Sequence, residues 1–243
     1  MASQAPTDGP PYQGPVLVVM AHPDDPEFFC GGTVARWADE GREVVYCLLT
    51  RGDKGADDPG VDPETLAGQR EAEQRAAAAV LGVQKVVFLG YRDGELVDDY
   101  AIRRDVVRVM RQVRPDTVVT SDPSTYYSFS INHSDHRVAG QVAFDAVWPG
   151  TRSALYYPEL LRDEGLKPHK VPQVYVAGSQ EPDTVVDVTA YFETKINALC
   201  EHKSQIGDRD SLVERLRDRM TDPESLGGSP RLVERFKRIE LRR

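Results

Sequence analysis

A chain of 243 residues with 40% hydrophobic content is long and apolar enough to build the core of one α/β domain. Its 30 basic and 39 acidic residues give a formal net charge of -9, which argues against a nucleic-acid partner, because nucleic-acid-binding surfaces carry a basic stripe. No apolar run approaches the ~18 residues that a membrane span requires, and the first residues lack the pattern of a signal peptide. Three scattered cysteines are typical of a reducing compartment, so we expect a cytoplasmic protein.

Short apolar runs alternate along the chain with longer segments of helical periodicity, after a proline- and glycine-rich stretch over 1–15 that we expect to be a flexible tail. The remaining residues, 16–243, are expected to form a single domain. The first four predicted strands cover 16–20, 43–50, 85–90 and 116–122, and the helices that follow them cover 33–41, 64–83, 99–114 and 134–148. This order is typical of successive βαβ units and predicts an α/β fold, with a mostly parallel sheet and helices on both faces.

The pattern is looser after Trp148. The predicted elements there are a long loop over 149–171, two later strands over 172–178 and 184–189, and a helix over 190–205. The charged residues beyond 208 predict two further helices, separated by the Gly-Gly-Ser-Pro sequence. The second of these, RLVERFKRIELRR, is interpreted as a solvated amphipathic helix, because acidic residues interrupt its basic face.

The first predicted strand ends abruptly in polar residues, in the sequence VLVVMAHPDDPEFFCGGT. Two adjacent carboxylates, Asp24 and Asp25, raise each other's pKa unless a cation neutralises them. One of them could cap a helix that starts at Pro26, but a cap explains neither the second carboxylate nor His22. A phosphate-binding turn is less favoured, because the glycines lack a nucleotide-binding spacing and the carboxylates would repel a phosphate. We therefore expect a metal ion as the partner.

A second polar cluster, INHSDHR, follows the fourth predicted strand and contains His133 and His136. Because the carboxyl ends of parallel strands meet at one edge of a sheet, we expect this cluster to lie beside the first. Two imidazoles and one carboxylate, with one position left open, are typical of a catalytic zinc site. We therefore predict that Zn2+ is bound by His22, Asp25 and His136. Asp24 and His133 are then available for catalysis.

The motifs around these residues resemble the LmbE-like, or PIG-L, family of zinc-dependent N-acetylglucosamine deacetylases. The shared features are AHPDD directly after the first strand, CGGT in the segment that follows, and a later HxDH. The resemblance extends over about residues 16–205 and includes LTRGDKG, REAEQRAAAAVLGV, RDGEL and HKSQ. It implies a Rossmann-like fold and the removal of an acetyl group from an amino sugar.

The resemblance also implies roles for individual residues. It makes Asp24 the general base and His133 the group that faces the oxyanion, and it agrees with the metal ligands predicted above. Arg70 and Asp93 match positions that contact substrate hydroxyls in the sugar-specific members. A surface position on a helix for Arg70, and a simple Asp-Gly turn at Asp93, are equally open interpretations.

The predicted reaction is hydrolysis of an N-acetyl amide in a small-molecule substrate, by a protein that could form a homo-oligomer. Two alternatives stay open: an amidase of the same fold that cleaves a larger N-acyl group or a thiol conjugate, and a non-catalytic nucleotide-binding Rossmann domain. Three further side chains have weaker predictions. His202 is expected at a helix end, with the rim of the site as a second interpretation, His169 is expected to be exposed, and Cys30 is expected to be a buried thiol.

Overall fold

Within residues 12–126, 132–225 and 230–241, which the computed structural model describes, seven strands form one mixed sheet. The strands are β1 (Val16–Met20), β2 (Val44–Thr50), β3 (Lys85–Tyr91), β4 (Thr117–Ser121), β5 (Gln173–Ala177), β6 (Thr184–Asp187) and β7 (Val233–Glu240). Their spatial order is β3-β2-β1-β4-β5-β7-β6. Neighbouring strands from β3 to β5 are parallel, whereas β7 is antiparallel to both β5 and β6.

Helices cover both faces of this sheet. They are α1 (Asp25–Asp39), α2 (Pro63–Val80), α3 (Tyr100–Val113), α4 (Ser134–Asp145), α5 (Pro158–Arg162), α6 (Phe192–Leu199) and α7 (Arg209–Met220). Residues of α1, α2, α6 and α7 pack on one face, and residues of α3, α4 and α5 pack on the other. All of β1 and β2 is buried, as expected for strands with both faces covered. The predicted α/β fold with a mostly parallel sheet is confirmed.

The order in which strands join the sheet creates a crevice. From β1 the chain adds β2 and β3 on one side, and it then crosses to the other side of β1 to add β4 and β5. In open α/β sheets, ligands bind outside the carboxyl ends of the strands where this change of direction occurs. The parallel register aligns Val19 with Thr120, so the loops that follow β1 and β4 lie side by side.

The prediction of a helix beyond residue 230 is wrong. The segment forms β7, which lies between β5 and β6 and buries Val233 and Phe236. Its apolar residues also fit the spacing of a helix, so the sequence pattern alone does not distinguish a helix from a strand here. The strand is favoured because β5 and β6 both offer backbone hydrogen bonds to it, and such partners are remote in sequence.

Glu234 of β7 is buried because its carboxylate has three partners. It accepts hydrogen bonds from the amides of Gly32 (3.0 Å) and Thr33 (2.7 Å), and Lys195 Nζ donates to it at 2.6 Å. Helix α1 is kinked at Cys30, where φ is -146 and ψ is 17. Because the kink interrupts the hydrogen bonding of the helix, the next amides are available to Glu234.

Helix α1 begins at Asp25 and not at residue 33 as predicted. The adjacent glycines in its middle have low helix propensity, and they concealed the first two turns of the helix. Two smaller differences lie later in the chain. Helix α4 ends at Asp145 and is followed by a π-helical turn over 146–150, and the expected loop over 149–171 contains the short helix α5.

Two predicted features fall partly outside the described residues: the N-terminal tail and the Gly-Gly-Ser-Pro break between the last two predicted helices. Residues 1–11 and 226–229 are among those not described. At the end of the expected tail, the Pro15 carbonyl accepts a hydrogen bond from the Asp116 amide at 3.0 Å, so this residue is attached to the domain. No helix in the part of the chain that the structure describes is long and apolar enough to cross a membrane.

We expect Glu234→Gln to destabilise the fold. The change leaves the Lys195 ammonium buried without its counter-charge, and breaking a buried ion pair costs about 3–5 kcal/mol. The free energy of unfolding, measured by urea denaturation, should fall by an amount of that order. Glu240→Gln, at the exposed end of the same strand, is the matched control and should change stability by less than about 1 kcal/mol. Equal effects of the two variants would contradict the importance of the buried pair.

Candidate active site

The loop after β1 holds Asp24 in a strained backbone conformation. Its φ of 84 and ψ of -28 lie in the left-handed region, which costs a non-glycine residue on the order of 1–3 kcal/mol. Asp24 occupies the N-cap position of α1, but its side chain makes no capping hydrogen bond. Helix capping therefore does not account for this carboxylate. The backbone amide of Asp24 donates to Gln74 Oε1 at 2.9 Å, which helps to hold the loop.

His22 is surrounded by three carboxylates. Its Nδ1 lies 3.4 Å from Asp25 Oδ2, and its Nε2 lies 3.2 Å from Asp93 Oδ1 and 3.3 Å from Asp135 Oδ2. In the neutral tautomer with its proton on Nε2, the last two carboxylates share that proton, and the lone pair of Nδ1 faces Asp25. Carboxylates that orient an imidazole in this way are typical of metal-binding histidines.

The second cluster reaches the same place from α4. His136 Nε2 lies 3.0 Å from Asp25 Oδ1, and the rings of His133 and His136 have centroids 4.2 Å apart. Nitrogen atoms of His22, His133 and His136 all lie within 4.8 Å of one another. The structure thus brings together the two remote polar segments that the sequence predicts, at the crevice between β1 and β4.

A glycine allows α4 to approach β4 closely. A Cβ at Gly140 would lie 2.4 Å from the carbonyl oxygen of Ser121, a distance that no side-chain carbon tolerates. The close approach brings α4, whose first turn carries His136, against the end of β4.

The electrostatics of the cluster suit a bound cation. Although burial opposes protonation of His22, hydrogen bonds with Asp135, Asp25 and Asp93 raise its pKa well above the ordinary value. Burial would raise the pKa of the Asp25 carboxyl, but the nearby His136 holds that pKa well below its usual range. The negative environment therefore favours positive charge, and imidazole with carboxylate is a donor set that suits zinc and similar divalent ions. The residues present fit a metal centre.

A second set of atoms in the same region also has metal-ligand spacing. It consists of His22, Asp93 and Asp135, whose ligand atoms lie within 4.8 Å of one another. Asp135 is fully buried, and its Oδ2 accepts a hydrogen bond from the Gly94 amide at 2.6 Å. We favour an orienting role for this set, because both carboxylates face the same nitrogen of His22.

Asp24 lies beside a buried guanidinium. Arg70 Nη2 donates to Asp24 Oδ2 at 3.1 Å and to the Pro23 carbonyl at 2.9 Å, and Nη1 donates to the Gly52 carbonyl at 3.2 Å. Burial raises the pKa of the Asp24 carboxyl to about 6, in spite of the opposing effect of Arg70. A carboxylate with a pKa near neutrality has the properties of a general base. Arg70 is 4% exposed, so the interpretation of a surface residue is wrong.

A chain of buried side chains supports Asp24 from behind. Gln74, which accepts from the Asp24 amide, donates through Nε2 to both oxygens of Glu27 at 3.0 Å. His202 Nε2 lies 3.2 Å from Glu27 Oε2. Glu27, Gln74 and His202 are all fully buried. His202 follows the end of α6, as expected, and its ring is buried behind the active-site loop.

A cavity of about 470 Å³ opens in front of these groups. It is lined by His22, Asp24, Asp25, Arg70, Asp93, His133 and His136, together with Phe28, Phe29, Lys54, Gly55 and Arg219. All seven residues predicted from the sequence therefore face one cavity, whose volume is in the range of small-molecule sites. His169 is half-buried instead of exposed, with Nε2 2.7 Å from the Pro115 carbonyl. Cys30 is a buried thiol as expected.

Several known proteins are similar to this chain in sequence. The family model described as PIG-L, GlcNAc-PI de-N-acetylase, matches residues 17–147. The diacetylchitobiose deacetylase of Thermococcus kodakarensis is 36% identical over 193 residues, which cover 78% of this chain and 69% of that protein. The chain belongs to the PIG-L family.

Two further relatives of this PIG-L protein extend the comparison. The 1D-myo-inositol 2-acetamido-2-deoxy-alpha-D-glucopyranoside deacetylase of Saccharomonospora viridis is 32% identical over 232 residues, covering 79% of this chain and 85% of that protein. The structure of N,N'-diacetylchitobiose deacetylase from Pyrococcus horikoshii with its inhibitor MPG matches with a TM-score of 0.83 at 30% identity, covering 94% of this chain and 84% of that one. The expected deacetylase of N-acetylglucosamine-containing substrates and the Rossmann-like fold are confirmed. The nucleotide-binding alternative is wrong.

Sequence reasoning on this PIG-L protein missed the supporting residues. Gln74 and Glu27 gave no signal, because a single polar residue on a helix is ordinarily solvated. Asp135 was visible inside the HxDH motif, and its position between two candidate ligands could have drawn attention to it.

We expect Gln74→Leu to lower kcat for de-N-acetylation about 10–100-fold, since a misplacement of roughly 1 Å at a catalytic group can cost about 10²-fold. The change removes the hydrogen-bond acceptor of the Asp24 amide. Gln74 contacts none of the imidazoles of His22, His133 and His136. The metal content should therefore stay at the level of the unmodified protein. Gln141→Leu, on the exposed side of α4, should leave kcat unchanged. Metal loss in proportion to activity would show instead that Gln74 holds the whole site.

Proposed function

We propose that this chain is a zinc-dependent hydrolase that removes the acetyl group from the 2-acetamido group of a small N-acetylglucosaminide. The observation that carries the proposal is the convergence of His22, Asp25 and His136 beside a carboxylate of raised pKa, in one cavity. The two curated relatives described above are named for substrates that share a 2-acetamido-2-deoxyglucose unit or its disaccharide. The cavity has room for such a unit.

His22, Asp25 and His136 would hold the zinc ion. Asp25 is suited to this role, because one of its oxygens faces His22 and the other faces His136. Zinc in such a site supplies an acidified water and a Lewis acid for the amide carbonyl. Asp93 and Asp135 fix the ring of His22 from its other side.

Asp24 would act as the general base. Its pKa of about 6 leaves it ionised at neutral pH, yet close enough to neutrality to accept and return a proton. It takes the proton of the attacking water and passes a proton to the departing amine nitrogen. The guanidinium of Arg70, which has no other carboxylate partner among the described residues, keeps the acceptor oxygen oriented.

His133 would face the carbonyl oxygen of the substrate. Burial and the neighbouring His136 and His22 lower the pKa of His133, so it is a neutral imidazole that donates one N–H. A positioned donor at a developing oxyanion is worth on the order of 10²–10³ in rate. The products are acetate and a glucosaminide with a free amine. Asp93 and Arg70 line the cavity and would contact the hydroxyl groups of the sugar.

The formation of a homo-oligomer and the cytoplasmic location of the protein stay predictions.

We expect Asp24→Asn to keep its zinc and to lose turnover about 10²–10⁴-fold, the usual contribution of general acid–base catalysis. The amide cannot accept the proton of the water, whereas the ligand atoms are unchanged. Acetate release from an N-acetylglucosaminide and the metal content of the purified protein are the two measurements. Asp218→Asn, on the exposed side of α7, is the control. Retained turnover would remove Asp24 from the role of base.

The metal assignment has a separate test. The double variant His22→Ala, His136→Ala should lose stoichiometric zinc, because two of the three proposed ligands are gone. Treating the unmodified protein with a chelator should abolish acetate release, and added zinc should restore it. His169→Ala, outside the cavity, should retain its metal. Full zinc occupancy in the double variant would contradict the proposed ligand set.

A further inference from the structure

A second cavity adjoins the active-site cavity at two phenylalanines. The second cavity, of about 220 Å³, shares Phe28, Phe29 and Arg219 with the first. Phe29 is also close to the metal centre, since its ring stands edge-on to His136 with centroids 5.7 Å apart. A ligand held at the metal centre can therefore extend over the two aromatic rings towards Arg219.

Arg219 differs from the other cations of the active-site cavity. Lys54 Nζ pairs with Glu95 at 2.6 Å, and Arg70 is bonded to Asp24 and to backbone carbonyls. Arg219 is exposed and forms no hydrogen bond or ion pair with any residue that the structure describes.

In the second cavity, too, Arg219 is unpaired within the described part of the chain, while the other cations have acidic partners. Its other cations are paired: Lys195 with Glu234 at 2.6 Å, and Arg235 with Asp222 at 3.2 Å. Arg219 is thus the one cation common to both cavities, and its charge is uncompensated within the described residues.

The helix dipole gives a weaker explanation of Arg219. A cation in the last turn of a helix is favourable, and α7 carries Arg217 and Arg219 there. Arg217 lies over the ring of Phe192, 4.8 Å from its centroid, on a different surface. The dipole favours any cation in this turn, but it gives no reason for one at the junction of two cavities.

The walls of the junction suit a sugar with an acidic substituent. Half-buried aromatic rings with a few polar groups are typical of small-molecule sites. A guanidinium binds planar carboxylates and phosphates through paired hydrogen bonds. In the proposed function the acetamido group occupies the metal end of the cavity, where Asp24, Asp25 and Asp93 lie, so an anionic group on the other side of the sugar extends towards Arg219.

We propose that Arg219 binds a carboxylate or phosphate on the aglycone side of the N-acetylglucosaminide, and that the site prefers substrates that carry one. This inference rests on the proposed function, because the acetamido group must lie at the metal centre for the aglycone to reach Arg219. Phe28 and Phe29 form the wall between the two ends of the substrate.

The test compares N-acetylglucosaminides whose aglycones match in size and carry a carboxylate, a phosphate or a neutral group. For the zinc-loaded protein, kcat/KM should be higher for an anionic substrate than for the neutral one. Arg219→Gln should lower this preference about five- to tenfold, mainly through KM, as expected for a charged hydrogen bond at an exposed site. Arg219→Lys should keep part of the preference, and added salt should weaken it.

Arg215→Gln is the matched control, since Arg215 is exposed on the same helix and lines neither cavity. It should leave the preference unchanged. The carboxylate and phosphate arms separate the two possible sources of negative charge. An equal kcat/KM for neutral and anionic substrates, or a preference that survives Arg219→Gln, would overturn the inference.

Failure of the proposed function has a different signature. Absence of acetate release from all three substrates, the neutral one included, would contradict the hydrolase itself. Binding of the corresponding amine products, measured by calorimetry, reports on Arg219 without turnover. Tighter binding of the anionic glucosaminide, lost in Arg219→Gln, supports the inference, and equal binding of the anionic and neutral glucosaminides contradicts it.

Discussion

The parallel pairing of β1 with β4 is the constraint on which the site depends. It joins segments more than one hundred residues apart in the chain, and it ends both strands at the same edge of the sheet. Each of the two loops alone carries polar side chains whose charges are not balanced within that loop. Together they form a set in which Asp25 lies between His22 and His136, so that every buried charge has a partner or a place for a cation.

Two neighbouring aspartates acquire different properties from their surroundings. Asp25 faces imidazoles, which stabilise its ionised form. Asp24, whose backbone is left-handed, pairs with the Arg70 guanidinium, and burial makes its ionised form less stable. Environments that separate the pKa values of adjacent carboxylates assign them different tasks. The backbone strain at Asp24 is maintained by Gln74 and Arg70, which bind its amide and its carboxylate.

The elements that could be predicted are those with local signals. The apolar runs of β1 and β2, the turn motif at His22 and the HxDH histidines are readable because a few adjacent residues define them. The topology rule for parallel sheets was then sufficient to bring the two clusters together. The supporting residues could not be found in this way, since the roles of Glu27 and His202 arise only from their mutual contact across the fold. The strand β7 was missed for the same reason, because Glu234 is stable in the interior only with Lys195 and the amides of α1.

The position of β7 has a consequence for synthesis on the ribosome. Among the strands of the described residues, β6 is hydrogen-bonded to β7 alone, so none of those strands can pair with it until residues 233–240 have left the exit tunnel. The same residues bring Glu234 to the kink of α1, the helix that starts at Asp25. The nascent chain therefore completes the surroundings of its candidate metal centre only after residues 233–240 have emerged, although the first proposed ligand is residue 22.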